Sequence, residues 1–210
     1  MREITLHQAL KELKLLKKRI DEKINNCDFV SYKIGGQKII ASKYTEESYN
    51  EKVKADYQSI LDLIALRNEI KTKVVMSNAI TKVKVGKSEM TVAEAIERKT
   101  SIIFEKDLLI KMKEDYEFTI ENIEGMNYKM RNNLDKQLTA MLGRTTENTD
   151  STEADLFSKS YIANNESILI DPLKIETKIK DLEEKIDDFE KHVDTALSVS
   201  NAVTFIELKD

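Results

Sequence analysis

The chain has 210 residues, 34% of them charged and 40% hydrophobic, and its formal net charge is −4. Five glycines and one proline are too few for an all-β fold of many short strands, because tight turns need these residues. Acidic and basic residues are interspersed, so the composition lacks the basic excess of a dedicated nucleic-acid-binding protein. We expect a mainly α protein in which long amphipathic helices form a helical bundle or coiled coil, with short β-hairpins and a small sheet at the helix ends.

Cysteine content and apolar runs bear on the compartment. Cys27 is the only cysteine, which excludes an intrachain disulfide and a cysteine metal cluster and fits a reducing environment. The start of the chain lacks the apolar stretch of a signal peptide, and no run reaches the roughly 18 apolar residues of a membrane span. These features predict a protein that is soluble and cytoplasmic when made.

The first helix is predicted to begin at Thr5, because Thr5 and Gln8 have the spacing of a capping box. Leucine and isoleucine recur every three or four residues from there, and the helix is expected to end at Asn25-Asn26, since asparagine tolerates a left-handed cap. The helix is locally basic at Arg2, Lys11, Lys14, Lys17, Lys18 and Arg19. This basic face is interpreted as solvated, with contact to an anionic partner as the alternative.

Strand signals follow the first and second helices. Residues 29–34 and 37–40 flank Gly35-Gly36 and predict a β-hairpin, because two glycines can supply the positive φ angles of its turn. A second helix is predicted over residues 46–75, with Asn78 as its cap. The alternation in residues 79–85 then predicts a half-buried strand that turns at Gly86.

The longest predicted helix covers residues 92–141 and begins at a second capping box, Thr91 with Glu94. Its apolar residues follow a heptad pattern, which indicates a coiled-coil seam. At 1.5 Å per residue, this helix would be about 75 Å long. We expect one small chain to have difficulty burying both apolar rows, so the seam is predicted to contact other copies. The seam residues on this helix are Leu109, Tyr116, Ile120, Ile123, Met130, Leu134 and Met141.

The remaining third of the chain contains a polar stretch and a last helix. Residues 143–155 lack apolar periodicity and are interpreted as a linker, and residues 156–170 fit no period. Asp171 followed by Pro172 predicts a helix start, with Asp171 as the cap. Apolar residues at alternating spacings of four and three form the second part of the oligomer seam: Ile175, Ile179, Leu182, Ile186, Phe189 and Val193. The predicted organisation is therefore 1–142, 143–170 and 171–210 within one elongated domain.

One short sequence occurs twice. Residues 77–81 (SNAIT) recur as residues 200–204 (SNAVT), in each case between a helix and a strand. The repeat predicts a shared exit geometry in which Asn78 and Asn201 cap helices and the two following strands join one sheet. Phe205 is expected to be buried there, so deleting residues 202–210 is predicted to lower the thermal midpoint by several degrees.

Candidate catalytic groups are few. The two histidines, His7 and His192, lack clustered partners and are interpreted as surface residues, and no set of zinc ligands is recognisable. Gly35-Gly36 lacks the spacing of a phosphate-binding loop, and the paired acidic residues lie on a charged helix face that would not raise a pKa. We therefore expect no enzyme, no catalytic residue, no cofactor, no metal and no small-molecule substrate.

Three stretches carry a resemblance to a known family: residues 6–20, residues 77–99 and the final helix with residues 200–204. On these the chain resembles an uncharacterised family of bacterial and prophage-encoded helical proteins, some of which are labelled septicolysin. The resemblance implies a phage or prophage particle component, with the virion as its destination. The label also implies a membrane-active protein, and no catalytic residue follows from the resemblance.

The function favoured by the sequence is a non-enzymatic structural or assembly protein that forms homo-oligomers through its coiled-coil helices. Its expected partners are further copies of itself and other proteins of the particle or assembly. Two alternatives stay open: a membrane-active protein without a membrane span, and a nucleic-acid-binding module that uses the basic first helix. Nucleic acid is the less favoured partner because the overall charge is negative.

Overall fold

The structure, a computed structural model, describes residues 2–36, 39–40, 44–142 and 151–208. Within these ranges the helices are α1 (Leu6–Asn25), α2 (Glu46–Ile80), α3 (Val92–Leu142), α4 (Ser151–Asn165) and α5 (Ile175–Val203). The strands are β1 (Arg2–Thr5), β2 (Ile39–Ile40), β3 (Tyr44–Thr45), β4 (Lys82–Val85), β5 (Ser88–Thr91) and β6 (Phe205–Leu208). They pair antiparallel as β1 with β6, β2 with β3 and β4 with β5. The predicted mainly α fold with small sheets is confirmed.

Contacts divide the chain into two compact units. Unit 1 comprises Met1–Thr100 and Asp188–Asp210, and unit 2 comprises Ser101–Asp187. The boundaries between the units fall inside α3 and α5, whereas the sequence places its boundaries at residues 142 and 170. Helix α3 begins at the predicted residue and ends one residue later than predicted.

The core of unit 1 lies where β1 and β6 meet α1 and α2. The strand register places Ile4 opposite Ile206, and both side chains are buried. Because side chains alternate along a strand, Leu208 faces the same core while Phe205 faces away and is 56% exposed. The predicted burial of Phe205 is therefore wrong. The core cluster consists of Ile4, Leu6, Ala9, Leu16, Ile70, Val74, Ile206 and Leu208.

The inner corner of unit 1 joins α2, β4, β5 and α3. Helix α2 ends where the main-chain N–H of Thr81 donates to the carbonyl of Ser77 at 2.9 Å. The carbonyl of Thr81 then accepts from Val92, the first residue of α3, at 2.9 Å. The Thr91 hydroxyl accepts from the Glu94 main chain, and the Glu94 carboxylate accepts from the Thr91 main chain, so the predicted capping box is present.

The terminal corner joins α5, β6, β1 and α1 by the same arrangement. Thr204 donates to the carbonyl of Ser200 at 3.0 Å, and its own carbonyl accepts from Leu6, the first residue of α1, at 2.9 Å. Thr5 and Gln8 form the predicted capping box at the start of α1. The repeated sequence therefore does have one exit geometry, as the sequence predicts.

The predicted roles of Asn78 and Asn201 are wrong. Both lie inside the last turn of their helices, and Thr81 is the C-cap of α2. The two exit strands also belong to different sheets, β4 with β5 and β6 with β1, not to one. The cause is tertiary, because each helix continues until its strand can pair with its partner, and this overrides the capping preference of asparagine.

The predicted hairpin around Gly35-Gly36 is also wrong. Residues 27–34 form no strand; β2 pairs instead with β3, while residues 37–38 and 41–43 lie outside the described residues. Residues 27–34 instead contact α2. The hydroxyl of Tyr49 donates to the carbonyl of Asp28 at 2.7 Å, and Phe29 packs edge-on against Tyr57. These contacts with α2 replace a strand ladder.

Two helix ends follow from local geometry that the sequence hides. The C-cap of α1, Asn26, has a φ of −99°, so the helix ends where predicted but without the left-handed conformation. Helix α5 begins at Ile175, not at Pro172, because Lys174 adopts a positive φ of 54°. Asp171 still caps this helix, since its carboxylate accepts from the main chain of Ile175 at 2.8 Å.

Part of the predicted linker is helical. Residues 143–150 lie outside the described residues, but Ser151–Asn165 form α4. Its polar side chains bond within the helix, as when Ser158 donates to the carbonyl of Ala154 and Asn165 donates to that of Tyr161, both at 2.8 Å. This polar stretch without apolar periodicity therefore forms a helix that the sequence pattern does not predict.

Candidate interaction surface

The described residues contain no cluster of three His, Cys, Asp or Glu side chains that could hold a metal ion. His7 is exposed at the start of α1. His192 lies on α5, where its Nδ1 contacts the carbonyl of Asp188 at 2.7 Å. Neither histidine forms a hydrogen bond to a Ser, Thr or Cys side chain among the described residues, which is the arrangement of a side-chain nucleophile activated by a base.

A groove of about 620 Å³ in unit 1 contains the cysteine. The Cys27 thiol lies 3.8 Å from an Asp56 carboxylate oxygen, and Lys52 donates to the same oxygen at 2.7 Å. The hydrogen bond and charge of Lys52 lower the pKa of Asp56, so this carboxylate stays ionised and is a poor base for the thiol. The groove therefore contains a solvated ion pair between Lys52 and Asp56.

A second cavity of about 650 Å³ in unit 1 lies between the inner corner and α5. Asp188 organises its edge by accepting from the main chain of Lys87 at 2.8 Å in the turn between β4 and β5. Gly86 makes this approach possible, because a Cβ there would lie 1.9 Å from the Asp188 carboxylate. Ser200 lines the cavity and is buried, with no hydrogen-bond partner for its hydroxyl among the described residues. These contacts anchor the turn on α5.

The residues predicted to form an oligomer seam are largely covered within the single chain. Met130, Leu134, Ile186, Phe189 and Val193 are buried. The half-buried members are Leu109, Tyr116, Ile120, Ile123, Ile175, Ile179 and Leu182. Met141 is 39% exposed.

In unit 2 the seam of α3 is flanked by polar pairs with α5. Tyr116 donates to Glu176 at 2.6 Å, Lys185 donates to Glu105 at 3.0 Å, and Lys113 pairs with Glu183. Partner numbers on α5 fall as those on α3 rise, so the two helices run antiparallel. Helix α5 therefore returns along α3 and covers part of the predicted seam within one chain.

Unit 2 buries few of its large apolar side chains. Of the residues that the structure describes there, the buried hydrophobic ones are Ile102, Met130, Leu134 and Ile186, against sixteen in unit 1. Exposed large apolar residues on α3 of unit 2 include Ile103, Phe104, Leu108, Ile110, Phe118 and Met126. At 100° per residue, Ile103 and Ile110 lie roughly 100 to 120° around the helix from Leu109 of the covered seam. Helix α3 therefore carries exposed apolar side chains on several sides of that seam.

A second exposed apolar segment connects α4 to α5. Residues 166–171 contain no helix, turn or bend, and they end at the Asp171 cap. Ile168 and Ile170 are 72% and 87% exposed, whereas Leu169 between them is 38% exposed. No hydrogen bond joins the main chain of these three residues to the rest of the described structure. We name residues 168–170 the apolar segment.

Asn127 of α3 fixes the start of the apolar segment. Its side-chain amide donates to the carbonyl of Ser167 at 2.9 Å and accepts from the N–H of Ser167 at 2.8 Å. A single side chain thus occupies both main-chain groups of one residue, as a neighbouring strand would. In the sequence Asn127 shows only as a polar interruption of the seam, and residues 166–171 carry no periodic signal.

No family model matches the chain, and neither the curated proteins nor the solved structures compared with it include a match. The resemblance to the septicolysin-labelled family therefore stays a prediction from the sequence. The functional argument depends on the surfaces described above.

Proposed function

We propose that the protein is a non-enzymatic assembly protein that associates with further copies of itself through unit 2. The observation that carries this proposal is the imbalance in unit 2 between few buried and many exposed apolar side chains. Large contiguous apolar surfaces are rare on monomers and are typical of protein interfaces. Self-association would bury part of that surface, and each Å² of apolar surface removed from water stabilises the complex by roughly 25 cal/mol.

The interface differs from the one expected from the heptads. Residues of the predicted seam other than Met141 are buried or half-buried within the chain, so we do not assign them the primary contact between copies. Among the exposed apolar surfaces that remain in unit 2, the apolar segment is the one we assign to the contact between copies.

Light scattering after size-exclusion chromatography tests this proposal. The mass of one chain is 24.2 kDa, and we expect the purified protein at micromolar concentration to elute with a multiple of that mass. A mass of one chain over the whole accessible concentration range would overturn the proposal.

A place in a phage particle is the narrower form of this proposal and is supported by the sequence resemblance. Mass spectrometry of purified particles from a strain that carries the gene tests it. Peptides of this chain in stoichiometric amount would support the proposal, and their absence from particles would contradict it.

A further inference from the structure

We propose that the apolar segment pairs with the same segment of a second copy, as a short antiparallel strand pair on a twofold axis. This inference rests on the proposed function, because it names the contact through which unit 2 associates. The contact would be isologous, which is the commonest symmetry of soluble dimers.

The first argument is the free main chain. Residues 168–170 belong to no helix, strand, turn or bend, and their main-chain N–H and C=O groups have no hydrogen-bond partner among the described residues. Free main-chain groups beside exposed apolar side chains are open to pairing with a strand, and native proteins avoid leaving such edges uncovered. A second strand would satisfy these groups.

The second argument is self-complementarity. The sequence Ile168-Leu169-Ile170 reads the same in both directions. An antiparallel pair centred on Leu169 therefore places Ile168 of each copy opposite Ile170 of the other. Cβ atoms of directly opposed residues lie roughly 4.5 to 5.5 Å apart, which brings two exposed β-branched side chains into contact at each position.

The third argument is the anchoring at both ends of the segment. Asn127 holds both main-chain groups of Ser167, and Asp171 is held by its bonds to Leu173 and Ile175. The alternation of exposure, with Ile168 and Ile170 outward and Leu169 less exposed, is that of a strand lying on a surface. Binding then requires little ordering of the chain.

Introducing charged residues at the two isoleucines tests the pairing. One variant carries Ile168→Glu with Ile170→Glu, and a second carries Ile168→Lys with Ile170→Lys. Each variant alone places like charges opposite each other, so we expect its dimer dissociation constant to rise by about a hundredfold or more. An equimolar mixture should associate again, because glutamate then faces lysine, and this also shows that both variants are folded.

A matched control separates this contact from the other apolar surface. Ile103→Glu with Ile110→Glu changes two side chains on α3 that are 50% and 54% exposed. We expect that variant to keep the wild-type mass in light scattering. If the variants at 168 and 170 keep the wild-type mass, or if the mixture stays dissociated, the strand pair is overturned while self-association stands. If the wild-type protein itself is a monomer, the proposed function fails and the strand pair fails with it.

Discussion

Units 1 and 2 use their apolar residues in different ways. Of the residues that the structure describes, unit 1 buries sixteen hydrophobic ones, eight of them in one core where β1 and β6 meet α1 and α2. Unit 2 covers one face of α3 with α5, buries four of its described hydrophobic residues and leaves the apolar segment and other apolar side chains of α3 exposed. Since burial of apolar surface is the dominant stabilising contribution, unit 1 should determine folding stability and unit 2 should determine association. Substitutions in the two units should therefore have separable effects.

Ending the chain after Thr204 should have the largest effect. This removes β6 with Ile206 and Leu208, which are buried in the core of unit 1. Loss of two buried aliphatic side chains costs roughly 4 kcal/mol or more, a large part of the stability of a domain. Thermal unfolding followed by circular dichroism should show a strongly lowered midpoint. Phe205→Ala, at an exposed position of the same strand, should change it little; equal midpoints for wild type and truncation would show that β6 is dispensable.

Gly86→Ala should come next. The substitution adds a Cβ 1.9 Å from Asp188 at a residue with a φ of 57°, so it costs left-handed strain of roughly 1 to 2 kcal/mol and displaces the carboxylate. Loss of the bond from Lys87 to Asp188 adds about 1.5 kcal/mol or more. Gly36→Ala is the control, because Gly36 has a φ of 87° but no neighbour within 4 Å. Chemical denaturation should give Gly86→Ala the lower stability; equal values would mean that the contact with Asp188 is unimportant.

Asn127→Ala should weaken self-association more than it lowers stability, unlike the two preceding variants. It removes two partly buried hydrogen bonds, which costs about 1 to 2 kcal/mol, and it releases Ser167 at the start of the apolar segment. We expect a small decrease in thermal midpoint and a clear weakening of self-association in light scattering. Asn133→Ala, at an exposed position on α3, should leave both unchanged. Unaltered association of Asn127→Ala would show that the hydrogen bonds between Asn127 and Ser167 are not needed for the interface.

The smallest predicted effect is a difference in pH dependence between the inner corner, which contains Glu94, and the terminal corner, which contains Gln8. Hydrogen bonds from the Thr91 main chain and hydroxyl lower the pKa of Glu94 below its ordinary value of 4.5, whereas Gln8 has the same capping role without a charge. A lowered folded pKa gives stability that is present above the ordinary pKa and is lost as the pH falls through the folded pKa. Thermal midpoints of wild type and Glu94→Gln should therefore differ more at pH 7 than at pH 3. A difference that does not change with pH would contradict this role of Glu94.

Local signals in the sequence predict much of unit 1 and little of the interaction surface. The capping boxes at Thr5 and Thr91 define two helix starts correctly because they act within four residues. The pairing of β6 with β1 could not be read from the sequence, since these two strands lie far apart along the chain. The start of α5 depends on the positive φ of Lys174, which no residue pattern announces.

The surface of unit 2 illustrates the same limit. A heptad pattern shows which residues prefer burial, but it does not say whether the partner is another copy or α5 of the same chain. Asn127 interrupts the heptads and would be judged unfavourable from the pattern alone. Its purpose becomes visible only when Ser167 is placed beside it, 40 residues further along the chain.

Hydrogen exchange of the apolar segment tests the central claim most directly. At concentrations where light scattering shows association, the amide hydrogens of Ile168, Leu169 and Ile170 should exchange more slowly than at dilutions where the protein dissociates, because pairing gives main-chain groups a partner. A peptide from the core strand β6 should exchange slowly at both concentrations. Equal and fast exchange of residues 168–170 at both concentrations, in a protein that does associate, would contradict the account.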